Sequence, residues 1–169
     1  MIYLIWLLRL IHIGAGVFWV GGALTMNFFI APTLRATGDA GKQFAGHLIG
    51  KTRFSDMMMY SGISSIVAGF ILYGIDSNSF TSAWQSSGPG IGFAVGAVFA
   101  LIGMVTGIMN GNNNRAMGRL GTQIQGKPTP EQAAKLAAIQ KQQGWVVPVN
   151  SYSLLLALLL MAIARYLRF

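Results

Sequence analysis

Two side chains that could do chemistry sit deep inside the apolar stretches of this chain, Arg9 and His12. A spacing of three places them on one face of a helix. An imidazole in that setting could serve as a ligand for haem or a metal ion, with Arg9 then placed to pair with a haem propionate. The plainer chemistry for the same residues is hydrogen bonding. His12 would then donate a ring hydrogen to a carbonyl or hydroxyl of a neighbouring helix, and Arg9 would reach the outer headgroups or a partner such as Asp76.

A bis-histidine haem needs a second imidazole, and the chain's other histidine is His47. It comes after Pro32, beyond the end of the first apolar stretch. His12 lies twenty residues before that proline, about 30 Å by helical rise, so one chain cannot bring both rings to one iron. If haem b binds at His12, its second ligand is a methionine, a residue of a partner chain, or none. Met57, Met58 and Met59 offer soft sulfur of the kind copper(I) prefers. Consecutive helical residues point three ways, however, so the run reads as apolar filler.

Catalytic sets are missing from the pattern. The four acids are Asp39, Asp56, Asp76 and Glu131; Asp56 and Asp76 flank the uncharged run Met57–Ile75, and none lies within an uncharged run. There is no carboxylate pair, no Ser/His/Asp set, no His-x-x-x-His spacing and no phosphate-binding glycine loop. Cysteine is absent, which excludes disulfides, thiolate metal centres, covalent haem attachment and cysteine nucleophiles. A proton-driven transporter normally carries a buried carboxylate, so a small-solute transporter ranks last among the readings.

The elements that hold these residues are set by hydropathy. Hydrophobic residues make up 53% of the chain and charged ones 9%, against about 25% charged in an ordinary soluble domain. Four runs are continuous rather than alternating in polarity, which selects helices over barrel strands. The reading is all-α: a polytopic membrane four-helix bundle forming a single domain over 1–169, with transmembrane helices at about 3–31, 55–75, 90–110 and 149–167. The first run is too long for a cleaved signal peptide and is expected to remain as a helix.

Pro32 is expected to end the first helix, and Asn110-Gly-Asn-Asn-Asn to stop the third. Two amphipathic segments are expected outside the spans, at 42–53 and 130–143. The second opens on Thr129 as N-cap, Pro130 at the first position and Gln132 completing a capping box, and should stop at Gly144, with Pro148 bending the chain beyond it. Small residues Gly92, Gly96, Ala100, Gly103 and Gly107 line one face of the third helix, a surface for close packing within the bundle or against a partner or second copy.

Charge sets the orientation. Arg35, Lys42, Lys51 and Arg53 lie between the first two spans, and Arg115, Arg119, Lys127, Lys135 and Lys141 between the last two. The loop 76–90 has no lysine or arginine. Positive-inside logic makes both basic loops cytoplasmic and both termini external. The net charge of +8 therefore reads as orientation and contact with anionic lipid, not nucleic-acid binding.

The run Leu10-Ile-His-Ile-Gly-Ala-Gly-Val-Phe-Trp-Val-Gly-Gly-Ala-Leu24, with Ala31-Pro32 after it, resembles the first helix of small bacterial four-helix membrane proteins of unknown function, loosely grouped with copper-resistance-D-like proteins. The likeness extends through 64–76, Trp84 with Gly88-Pro-Gly-Ile-Gly, Pro128-Thr-Pro-Glu-Gln and the closing Leu-Leu-Met-Ala-Ile-Ala-Arg-Tyr-Leu. The resemblance implies a four-helix bundle in a bacterial inner membrane. Some distant relatives hold haem on a first-helix histidine, which would fall on His12. The combined expectation is a non-catalytic accessory or structural subunit of a larger respiratory or photosynthetic-type complex, embedded in lipid among other membrane subunits or its own copies. A haem b or copper-handling protein using His12, with Arg9 beside it, is the alternative.

Overall fold

Each apolar run closes its backbone hydrogen bonds within a helix, and in the computed structural model of the chain five helices succeed one another among the described residues. The structure describes residues 2–124 and 126–169; Gln125, in the basic loop, lies outside them. We label the helices α1 (Ile2–Ala36), α2 (Gly38–Gly50), α3 (Phe54–Asp76), α4 (Gly88–Gln123) and α5 (Pro130–Ile163). Short 3₁₀ turns at Ala83–Ser86 and Ala164–Tyr166 lead into α4 and end α5. No strand occurs among the described residues. Four of the helices, all but α2, are long and apolar enough to cross a membrane. The all-α bundle expected from hydropathy is present.

The helices associate mainly as two antiparallel pairs, α1 with α3 and α4 with α5. Their common core is small: Trp19, Ala23 and Leu154, with Val20, Met58, Ile66 and Met104 packed against them. Gly62 makes room for the indole, since a Cβ there would lie 3.1 Å from Trp19 and 2.9 Å from Met104. Most remaining large apolar side chains face outward, as expected of helices solvated by lipid rather than water.

Three expected helix ends do not occur. Pro32 does not terminate α1, because a π-helical turn, Met26–Ile30, precedes it and Pro32 enters the next α-helical segment at its start. The wider turn re-pairs the backbone just where the proline nitrogen cannot donate: the Ala31 N–H reaches back to the Met26 carbonyl. The Thr33 hydroxyl donates to the Phe29 carbonyl at 2.8 Å, supplying another bond at the junction.

The asparagine run does not stop α4, which continues for 36 residues to Gln123. Weak helix propensity is overridden here by tertiary bonds, as Gln143 donates to Asn114 at 2.7 Å and to Asn110 at 3.4 Å. Nor does the chain break at Gly144 or Pro148: α5 is one helix from Pro130 to Ile163 with the proline inside it. Pro148 forgoes one backbone bond of the helix, and its neighbours Val146 and Asn150 are buried there, so packing holds the chain helical through it. The expected segment 130–143 is therefore the first half of a helix that continues into the fourth span. The other expected segment, 42–53, corresponds to α2, which starts and ends slightly earlier. The capping box forms as read: Thr129 Oγ1 accepts from the Gln132 N–H at 3.2 Å, and the Gln132 side chain accepts from the Thr129 N–H at 2.9 Å.

Candidate functional site

His12 is half-buried and turns toward α3. Its Nδ1 lies 2.7 Å from the Ser65 carbonyl oxygen, and the Ser65 hydroxyl donates to the His12 carbonyl at 3.1 Å. Two helices are thus tied side chain to backbone in both directions at one level. Gly69, one turn further along α3, lets the ring lie flat, since a Cβ there would come within 2.7 Å of its Cε1. A carbonyl oxygen can only accept, so Nδ1 carries a hydrogen, and in the neutral ring the lone pair is then on Nε2.

Arg9 behaves differently. It is exposed, and among the described residues it makes no ion pair or hydrogen bond; the expected pairing with Asp76 does not form. The reason is angular. An offset of three residues leaves two side chains about 60° apart around the axis. That is enough to seat His12 in the α1–α3 contact and leave Arg9 outside it, with a long apolar stem available to reach an interface. His47 is exposed on α2, outside the four spans. Of the methionine run, Met58 packs in the core and against Gly22, whereas Met57 is exposed.

A second polar cluster was invisible to a search for ionisable residues. Asn150, buried in α5, donates to the Gly103 carbonyl of α4 at 2.7 Å and lies 3.5 Å from the Thr106 hydroxyl. Asn27, carried on the π turn of α1, donates to the Ser151 hydroxyl at 2.7 Å and to Asn150 Oδ1 at 3.3 Å. The cluster fastens α1 to the α4–α5 pair. Because a π turn inserts one residue, it rotates the later part of the helix by about 100°. The available sequence signal was Asn27, Asn150 and Ser151 standing inside otherwise apolar runs. The cluster contains amides and hydroxyls only, so it positions helices and has no group to exchange a proton.

The glycine face of α4 is used within its own pair. Gly92 meets Ala164 and Leu167, Gly96 meets Met161, Gly103 meets Leu154 and Gly107 meets Asn150; a side chain at Gly103 would overlap the leucine. Ala100 lies half-buried between them. These residues are therefore not a free surface for a partner or second copy, because α5 occupies it.

At the opposite end from the α4–α5 hairpin an aromatic group caps the bundle. Trp84 packs against Tyr73 and Phe93, and Tyr73 donates from its hydroxyl to the Gly90 carbonyl at 3.3 Å. Asn78, Ser79 and Phe80 all have φ between 49° and 66°. This turn of left-handed backbone is rarely adopted by residues with side chains. It returns Phe80 onto Phe70 and Tyr73.

Among the described residues no three His, Cys, Asp or Glu side chains gather as a metal centre would require. Comparison with known proteins finds no matching family model, no similar curated protein and no similar solved structure.

Proposed function

We propose that this chain is a non-catalytic integral membrane subunit that works by association with other proteins of a larger respiratory or photosynthetic-type assembly, in a bacterial inner membrane. Both termini lie outside in this reading, and the basic loops, including the α4–α5 hairpin, lie in the cytoplasm. The observation that carries the proposal is the hairpin itself. Helix α4 is 36 residues long, about 54 Å, against roughly 30 Å of hydrocarbon, and α5 is its match at 34 residues. The excess forms a capped helical rod closed by Gln143 with Asn110 and Asn114. Building such a rod beyond the bilayer makes sense for docking and contributes nothing to spanning. Gentle solubilisation and then native mass measurement should find the chain with other membrane proteins or in defined multimers. A lone monomer at every detergent level would refute the proposal.

A second reading is favoured by one contact. The Ser65 carbonyl holds His12 in the tautomer whose Nε2 lone pair is free, the arrangement seen when a histidine binds a metal and a backbone carbonyl takes its other nitrogen. His12 would hold haem b through its ring, and the exposed Arg9 one turn away could meet a propionate. Bound haem would supply electron transfer; the chain's own part would be to fix the imidazole through Ser65 and Gly69. Purified protein would then show a Soret band that His12→Ala abolishes and His47→Ala leaves unchanged. Absence of the band after haem supplementation rejects this reading.

A further inference from the structure

The free part of the α4–α5 hairpin carries a shallow groove of about 430 Å³ between its two helices. Ala116 and Leu120 of α4 and Ala138 and Ile139 of α5 form its floor, with Arg119 and Lys135 on its two sides. We propose that this groove docks an acidic amphipathic helix from a water-soluble protein partner. The inference rests on the association reading above and gives that partner a chemistry.

Charge is the first argument. From Asn110 to Gln143 the chain carries Arg115, Arg119, Lys127, Lys135 and Lys141 against the single carboxylate of Glu131. Glu131 accepts from Lys135 at 2.7 Å, so among the described residues Arg119 is the unshared cation of the groove. An apolar floor edged by guanidinium and ammonium matches a helix with leucine-like residues at i, i+3, i+4 and i+7 and carboxylates beside them.

Reach is the second argument, and it separates a protein partner from the lipid surface. A helix entering hydrocarbon at Gly88 leaves it about 30 Å later, near Ile108, and clears the headgroups some 6 Å beyond. Arg119 then stands about 10 Å further out, more than the Debye length of roughly 8 Å at physiological ionic strength. The Gln143 bonds to Asn110 and Asn114 join the two helices where they would have to splay to lie on the bilayer. The groove therefore faces water.

The test uses the full chain in nanodiscs of neutral phosphatidylcholine. The probe is a fluorescein-labelled helical peptide with leucines at i, i+3, i+4 and i+7 flanked by glutamates, alongside a scrambled version and a lysine-for-glutamate version. Saturable anisotropy change is expected for the first peptide alone. Arg119→Glu combined with Lys135→Ala should weaken it by about tenfold, as should raised salt. Lys141→Glu, on the hairpin but outside the groove, should change it less than about twofold. Circular dichroism secures the helicity of each variant. Equal loss from Lys141→Glu and from the groove variant would overturn the proposal. So would indifference to peptide pattern, or binding of the hairpin to phosphatidylglycerol discs with no peptide binding in neutral ones. The association reading is measured separately, by native mass of the chain from its membrane. Multimers of the unaltered chain, alongside failure of its neutral discs to bind the first peptide, sink the groove alone, and a lone monomer sinks the broader reading.

Discussion

His12 and Asn150 show how far a single polar side chain can organise apolar helices. Each ties one helix to the backbone carbonyl of another, His12 to Ser65 and Asn150 to Gly103. Interhelical bonds of this kind in membrane proteins average about 0.6 kcal/mol and reach about 1.7. Asn150→Leu removes the bonds to Gly103 and Asn27 together and should lower unfolding stability in detergent by about 1–2 kcal/mol. An unchanged melting profile would show that the cluster does not fasten the pairs. At Gly69 the restriction is spatial. Gly69→Leu must displace the His12 ring and should cost about 1–3 kcal/mol as overpacking, whereas replacing Gly14, which has open space around it, should leave stability within about 0.5 kcal/mol. Equal effects at both glycines would refute the packing argument. Histidine as a candidate was legible from its type and surroundings. The asparagine cluster was not, because neutral amides carry no charge penalty to flag them and their partners lie more than forty residues away.

At the scale of elements, the α4–α5 hairpin is held at its tip by local chemistry. Thr129→Ala removes the N-cap of α5 and should cost about 1 kcal/mol, read as faster proteolytic nicking between Gln123 and Pro130. The Glu131–Lys135 pair adds a pH dependence. The hydrogen bond and charge of Lys135 hold the Glu131 carboxyl below its ordinary range. A carboxylate with a depressed folded pKa stabilises above its unfolded pKa and loses that contribution as pH falls through the folded value. Helicity of the tip should therefore fall in acid, below the ordinary glutamate range, and Glu131→Gln should flatten that response. The effect is small because both side chains are exposed. Helix ends were the least legible part of the fold. Pro32, the asparagine run and Pro148 each carry a stop signal that a non-local or unusual feature overrides: the π turn at Met26–Ile30, the Gln143 bonds, and the buried packing of Val146 and Asn150 on either side of Pro148.

For the whole molecule, stability concentrates where the two helix pairs meet. Trp19 is 6% exposed and Leu154 fully buried, and little else of large volume is shielded so well. Trp19→Ala should cost about 3–5 kcal/mol and loosen the pairs from each other, seen as a lower melting temperature. Val98→Ala, on the lipid side of α4, should do far less in detergent, where that side stays solvated by apolar tails. Orientation is tested by single cysteines at the exposed Thr81 and Lys127 in this cysteine-free chain. Impermeant reagent added to intact cells should label the first and not the second; labelling of both from one side would refute the arrangement.

Hydropathy and helical periodicity determined the helical class, the four apolar segments and the small-residue face of α4, because lipid forces each segment to satisfy its own backbone. Local chemistry also determined the Thr129–Gln132 cap, which needs only residues three apart. The tertiary structure alone decided that α4 and α5 run unbroken beyond the span length, that their glycine seam faces inward, and that Asn27 meets Asn150. It also turned His12 toward Ser65 while leaving Arg9 exposed. Each of these depends on a residue distant in sequence or on the angle at which two helices meet, and neither is written in local periodicity.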